Sequence, residues 1–340
     1  MPTGAAEALL TNLVDYAGLF PPAKLPLDEA LRNYLRYQSE PESWMLGRFI
    51  CPAARLSELF AFRAEILAAA SPLVISALGR DGNDAAEFLE GVRADLADVA
   101  KFREQFGDKV NVEAYEVRLP AGLFNPPQTN QLHALVGTTG FLLETSGLPV
   151  VTPFFEPPAA LSPWGEAKVS VEQAALALTL YLLAADRAEP EARKRRRCRR
   201  AGLKLRCGGL EAEAFPAPAQ IALALTQARI LGIPLKFTAG LHHALRHFDA
   251  GLDTKMHGFL NIFVAGTLAW HKNLTEDQVR SIVEEESAAN FFFAEGELGW
   301  KDLRVNQQQI AVARRDGVTS FGSCSFDEPH DDLRNLKLLP

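Results

Sequence analysis

The feature that most limits what this chain can become is an alternation repeated along its length. Short apolar, β-prone runs recur at 14–20 (VDYAGLF), 46–51 (LGRFIC), 73–78 (LVISAL), 110–117 (VNVEAYEV), 149–155 (PVVTPFF), 202–207 (GLKLRC), 234–238 (PLKFT) and 259–264 (FLNIFV). Between them, apolar residues recur with helical period at 27–38, 56–70, 85–106, 171–185, 218–231 and 276–287. Strands separated by helices pair in parallel, because a helical crossover returns the chain to the same edge. Eight such units is the number that closes a (β/α)8 barrel, which is the predicted fold. A doubly wound open α/β sheet is the alternative, although no G-x-G-x-x-G follows an early strand. The predicted organisation is a barrel over 1–290 and an ordered C-terminal extension over 291–340 packed on it.

A barrel of this kind needs a large apolar core. The 340 residues supply one: 48% are hydrophobic and 23% charged. A net charge of -7 gives no bulk attraction to nucleic acid or anionic membrane. The basic run 193–200 (RKRRRCRR) reads as a solvated loop before the sixth strand. The longest apolar stretch, 174–185, is too short to span a bilayer. The four cysteines form no C-x-x-C pair, and MPTGAAEALL has no basic segment leading into an apolar one. The expectation is a soluble, cytoplasmic protein whose partner is a small molecule, with neither nucleic acid nor membrane involved.

In a barrel, chemistry belongs to the C-terminal ends of the strands. Two strands carry cations in alternation with apolar residues. Leu203 and Leu205 alternate with Lys204 and Arg206, and Leu235 and Phe237 alternate with Lys236 and Thr238. The apolar set suits the helix layer, so Lys204, Arg206 and Lys236 are expected inside. Buried cations require anionic partners, and Glu113, Asp15 and Glu156 are the candidates. The opposite phase would turn the lysines to solvent, and a purely structural ion-pair network would use the same residues.

The loops after these strands, Cys207-Gly208-Gly209 and Thr238-Ala239-Gly240, favour an anion. Glycine lets backbone N–H groups approach a ligand, and a helix expected from about Leu241 would add its N-terminus. Thr238 and His242 are candidate contacts there. Asn261, on the expected eighth strand, is a candidate inward donor.

A lysine beside another cation, partly withdrawn from water, becomes a nucleophile toward carbonyls. Lys204 and Lys236 on neighbouring strands fit a Schiff-base lyase, with Glu113 or Asp15 moving protons. The placement resembles class I aldolases of the deoxyribose-phosphate type, whose reactive and assisting lysines sit on strands six and seven. The resemblance covers that placement alone. Separately, DYAGLFPPA (15–23), WMLGRF (44–49), GLKLRCGG (202–209), KFTAGLHH (236–243), MHGFLN (256–261) and FGSCSFDEP (321–329) together resemble a family of bacterial proteins of unassigned function. That resemblance spans nearly the whole chain and brings no activity with it.

The histidines support other readings. His243 and His247, four apart, would share a helical face as metal-ligand pairs do. A metal-assisted isomerase or hydrolase using Glu113, Glu156 and a histidine is therefore the alternative, and a non-catalytic ligand-binding barrel is a third. No cofactor is implied beyond that metal. His257, just before the expected eighth strand, reads as structural, and Cys324 has no base beside it in sequence.

Overall fold

The computed structural model describes residues 4–148, 151–158, 171–179 and 201–339. The basic run 193–200 and Cys198 lie outside the described residues, as does most of the expected loop near 160. Seven strands come first: β1 (Val14–Tyr16), β2 (Leu46–Pro52), β3 (Leu73–Leu78), β4 (Val110–Arg118), β5 (Thr152–Glu156), β6 (Gly202–Arg206) and β7 (Leu235–Thr238). A short hairpin follows, β8 (His247–Asp249) with β9 (Thr254–Met256). A three-stranded antiparallel sheet comes next, β10 (Phe291–Phe293), β11 (Glu297–Trp300) and β12 (Leu303–Asn306), and then β13 (Val318–Ser323). The closed parallel barrel runs β1-β13-β7-β6-β5-β4-β3-β2, so the predicted α/β barrel is the fold. Among the described residues no helix is long and apolar enough to cross a membrane.

The eighth barrel strand is not the run 259–264. Those residues open the helix Phe259–Lys272, which is buried on every side from Phe259 to Ala269. A short apolar run surrounded by protein suits a strand or a helix equally, so periodicity does not separate them. Here the largely apolar stretch continues past Val264 to Ala269, long enough to close its own backbone hydrogen bonds.

The strand that closes the barrel, β13, reads VTSFGS and is small and polar because it faces two environments. Phe321 points outward and stacks on Phe259 at 5.2 Å, while Ser320 and Gly322 turn inward. The expected boundary at 290 therefore cuts through the barrel: residues 318–323 belong to its wall.

Register irregularities decide which polar residues point inward. Along β3 and β4, Ile75 pairs with Val112 but Ser76 with Ala114, leaving Glu113 as the extra residue of a bulge. Beyond a bulge the inner and outer faces exchange parity. Tyr115 thus reaches outward to Asp95 of the helix Ala85–Phe106, its hydroxyl donating at 2.8 Å, and Glu116 turns into the barrel.

Candidate functional site

Barrel interiors are ordinarily filled by layers of branched apolar side chains. The middle of this one is ionic. Asp15, Glu116, Glu156, Lys204 and Lys236 are all buried there, joined by Ser76 and Ser320.

The charges alternate across the strands. Lys236, in register with Lys204 on β6, pairs with Asp15 and with Glu116 Oε1 at 2.7 Å. Lys204 Nζ lies 2.9 Å from Glu116 Oε2 and 2.9 Å from Glu156 Oε2. Arg206 Nε reaches Glu156 Oε1 at 3.4 Å, and Arg118 joins the same oxygen at 3.7 Å. At the other end, Asp15 Oδ1 accepts the Arg48 backbone N–H at 2.7 Å, and Asp15 Oδ2 accepts the Ser320 hydroxyl at 2.7 Å. Gly47 makes room for this: a Cβ there would lie 2.3 Å from Asp15 Oδ1.

The protonation states follow from the pairing. Burial alone would raise Asp15, but Lys236 and then Arg48 outweigh it and hold the carboxyl below its ordinary range. Burial likewise opposes ionisation of Glu116 and Glu156. Lys204 and Lys236 overcome it at Glu116, and Lys204 with Arg206 at Glu156, so both are strongly favoured as carboxylates. Burial would strip the proton from Lys204, yet Glu116 and Glu156 reverse the balance and raise its pKa. The amine rests as an ammonium.

Above this layer opens a cavity of about 300 Å³ at the C-terminal ends of the strands. Lys204 and Glu116 form its floor, with Arg206, Gly209, Thr238, Gly240 and His242 on its wall. Phe20, Pro21, Pro22 and Leu210 make an apolar rim, and Ile50, Leu78, Gly322 and Cys324 are also part of the lining. Lys236 and Asp15 are fully buried and do not line the cavity.

Several expected site residues have other places. Glu113 lies at the opposite mouth, where Arg48 Nη2 meets its Oε2 at 3.0 Å; the bulge gives its expected position to Glu116. Asn261 is buried on the helix Phe259–Lys272, away from the cavity. Its Oδ1 accepts the Arg246 N–H at 2.9 Å, and its Nδ2 donates to the carbonyls of Ile282 and Glu285.

No helix begins at Leu241. Ala239 and Gly240 take left-handed φ of 60° and 69°, and the chain continues as a loop to the β8–β9 hairpin. A left-handed alanine costs about 1–2 kcal/mol, strain located at the cavity wall. Gly208 serves packing, not the cavity: a Cβ on it would lie 2.7 Å from Gly240 Cα, so the two loops touch through glycines. His243 in that loop and His247 at the start of β8 meet edge to face at 4.5 Å, without sharing a helical face. Among the described residues no group of three or more His, Cys, Asp or Glu side chains is placed to hold a metal ion. His257 is buried, its Nε2 2.7 Å from the Pro216 carbonyl and its Nδ1 3.0 Å from Arg246.

Two features of the site have no local sequence signal. Glu116 emerges only from the bulge. His242 Nδ1 meets Glu328 Oε2 at 3.1 Å and Cys324 Sγ at 3.8 Å, joining residues 82 and 86 positions apart. Compared with protein-family models and with curated proteins, the chain matches none.

Proposed function

We propose that this protein is a barrel enzyme acting on a small anionic metabolite that carries a carbonyl, with Lys204 as the residue that engages the carbonyl. The observation that carries this reading is the position of Lys204 Nζ, on the cavity floor and 2.9 Å from each of two carboxylates. A cavity of about 300 Å³ suits a metabolite of a few carbons. Arg206, which engages Glu156 through Nε, also lines the cavity, and a guanidinium there suits a carboxylate or phosphate.

Schiff-base lyase chemistry of the class I aldolase kind is the favoured form. Lys204 sits beside Lys236 on strands six and seven, and a carboxylate in contact with the ammonium accepts the proton that must leave before the amine attacks. The carbonyl oxygen departs as water when the iminium forms, and the carbon–carbon bond then breaks with its electron pair drawn into the iminium nitrogen. The raised pKa of Lys204 supports a second form, in which the ammonium polarises the carbonyl without bonding to it.

Borohydride reduction in the presence of small keto acids and phosphorylated or carboxylated aldehydes separates the two. The covalent form requires a reduced adduct on the Lys204 peptide that is absent from Lys204→Arg. The electrostatic form requires turnover that depends on Lys204 with no adduct. Adducts confined to surface lysines, with no turnover of any member of the panel, would remove both.

A further inference from the structure

Cys324 follows β13 directly, at the rim of the barrel, and is buried except toward the cavity it lines. Its Sγ is 3.8 Å from His242 Nδ1, and the same nitrogen lies 3.1 Å from Glu328 Oε2. The carboxylate of Glu328, on the helix Asp327–Asn335, and the Cys324 sulfur thus meet the imidazole on the same edge, at Nδ1. Burial alone would lower the His242 pKa, but the contacts with Cys324 and Glu328 raise it to about 9. An imidazolium at neutral pH follows.

Among the described residues, the charged and titratable groups around the thiol come from three elements. His242 comes from the loop after β7, Glu328 and Asp327 from the C-terminal helix, and Tyr16 from β1. Burial keeps the Tyr16 phenol neutral. Arg206 and Lys204 stand on the cavity wall and floor beyond. The cations His242, Arg206 and Lys204 therefore face an approaching ligand, and the apolar rim limits its size. Cys51 and Cys207 differ sharply. Both are fully buried, and burial pushes their thiols up, Cys51 to about 12.

We propose that Cys324 is a second nucleophile of the cavity, assisted by the His242 side chain in contact with it, and that small anionic disulfides modify it. The thiolate attacks one sulfur of the disulfide, a new S–S bond forms to Cys324, and the other half leaves as a thiolate. The attached half fills the mouth beside Arg206. This assignment stands whether or not Lys204 forms an imine.

The experiment uses the folded full-length protein and dithiobis(nitrobenzoate), an anionic aromatic disulfide, with release of the coloured thiolate followed in time. Peptide mapping reads all four cysteines separately. One fast equivalent is expected, located on Cys324 and lost in Cys324→Ser, with Cys51 and Cys207 reacting only after denaturation. Because a cation beside a thiol promotes its thiolate, His242→Gln is expected to slow the fast phase about tenfold or more at pH 7. If that variant does not fold, the wild-type rate decides. In the folded protein Cys324 should favour dithiobis(nitrobenzoate) over the cationic disulfide cystamine by a larger factor than it does in the denatured protein, because the cavity cations attract the anion. No fast phase on Cys324, a rate unchanged by His242→Gln, or no added preference for the anionic disulfide in the folded protein would each overturn the assignment.

Discussion

At the scale of single residues, the interior of this barrel is a chain of compensated charges, each stable only because of its neighbours. Lys236 is the clearest case, fully buried between Asp15 and Glu116. Removing one partner of a buried pair costs about 3–5 kcal/mol, because the remaining charge is left without compensation. Lys236→Met should destabilise the protein by that amount near neutral pH, measured by urea unfolding.

The pH dependence of the deficit has a definite sign. Burial opposes the ionised forms of Asp15 and Glu116, but their cation partners prevail and hold both below the ordinary carboxylate range. Their stabilisation is therefore present above about pH 4 and disappears as the pH falls through the lowered values. The gap between wild type and Lys236→Met should narrow below pH 4. A gap that is constant down to pH 2 would mean that the lysine stabilises by packing alone. Much of this layer was legible in the sequence: the alternation in GLKLR and PLKFT is enough to turn Lys204, Arg206 and Lys236 inward. That Lys204 would be held as an ammonium was not, since it depends on Glu116, which only the fold brings to it.

At the scale of elements, register separates what could be read from what could not. Strands whose faces contrast in polarity, such as β6 and β7, declare their orientation. β4, with Glu113 and Glu116 three residues apart, does not, because Glu113 is itself the bulged residue and the faces exchange beyond it. The two glutamates give a direct comparison. Glu113 is partly exposed and pairs with Arg48 at the N-terminal mouth, so Glu113→Gln should cost no more than about 1 kcal/mol. Glu116→Gln leaves two buried ammonium groups short of a carboxylate and should cost about 3–5 kcal/mol. It should also make the Lys204 amine easier to deprotonate, shifting any imine formation to lower pH. Equal effects of the two substitutions in denaturant titrations would contradict the register.

At the scale of the whole molecule, the last fifty residues decide whether there is a barrel at all. The helix Phe259–Lys272 was expected as a strand because its apolar run fits either state, and β13 was expected as extension because serine and glycine do not announce a buried strand. The same small residues make the site possible: Ser320 binds Asp15, and Gly322 leaves the cavity open beside Ile50 and Thr238. β13 pairs with β1 on one side and β7 on the other. A fragment of residues 1–290 would leave both as open edges, with unpaired N–H and C=O groups along each. It would also expose the outer faces of Phe259 and Phe263, which Phe321 covers, and take away the Ser320 hydroxyl beneath the cavity. Such a fragment should be recovered aggregated or without a cooperative thermal transition, as read by size-exclusion chromatography and circular dichroism. A soluble monomer melting in one sharp step would show that the remaining seven strands close without β13. The ionic layer would then have to be held by some arrangement other than the register that brings Lys204 and Lys236 side by side.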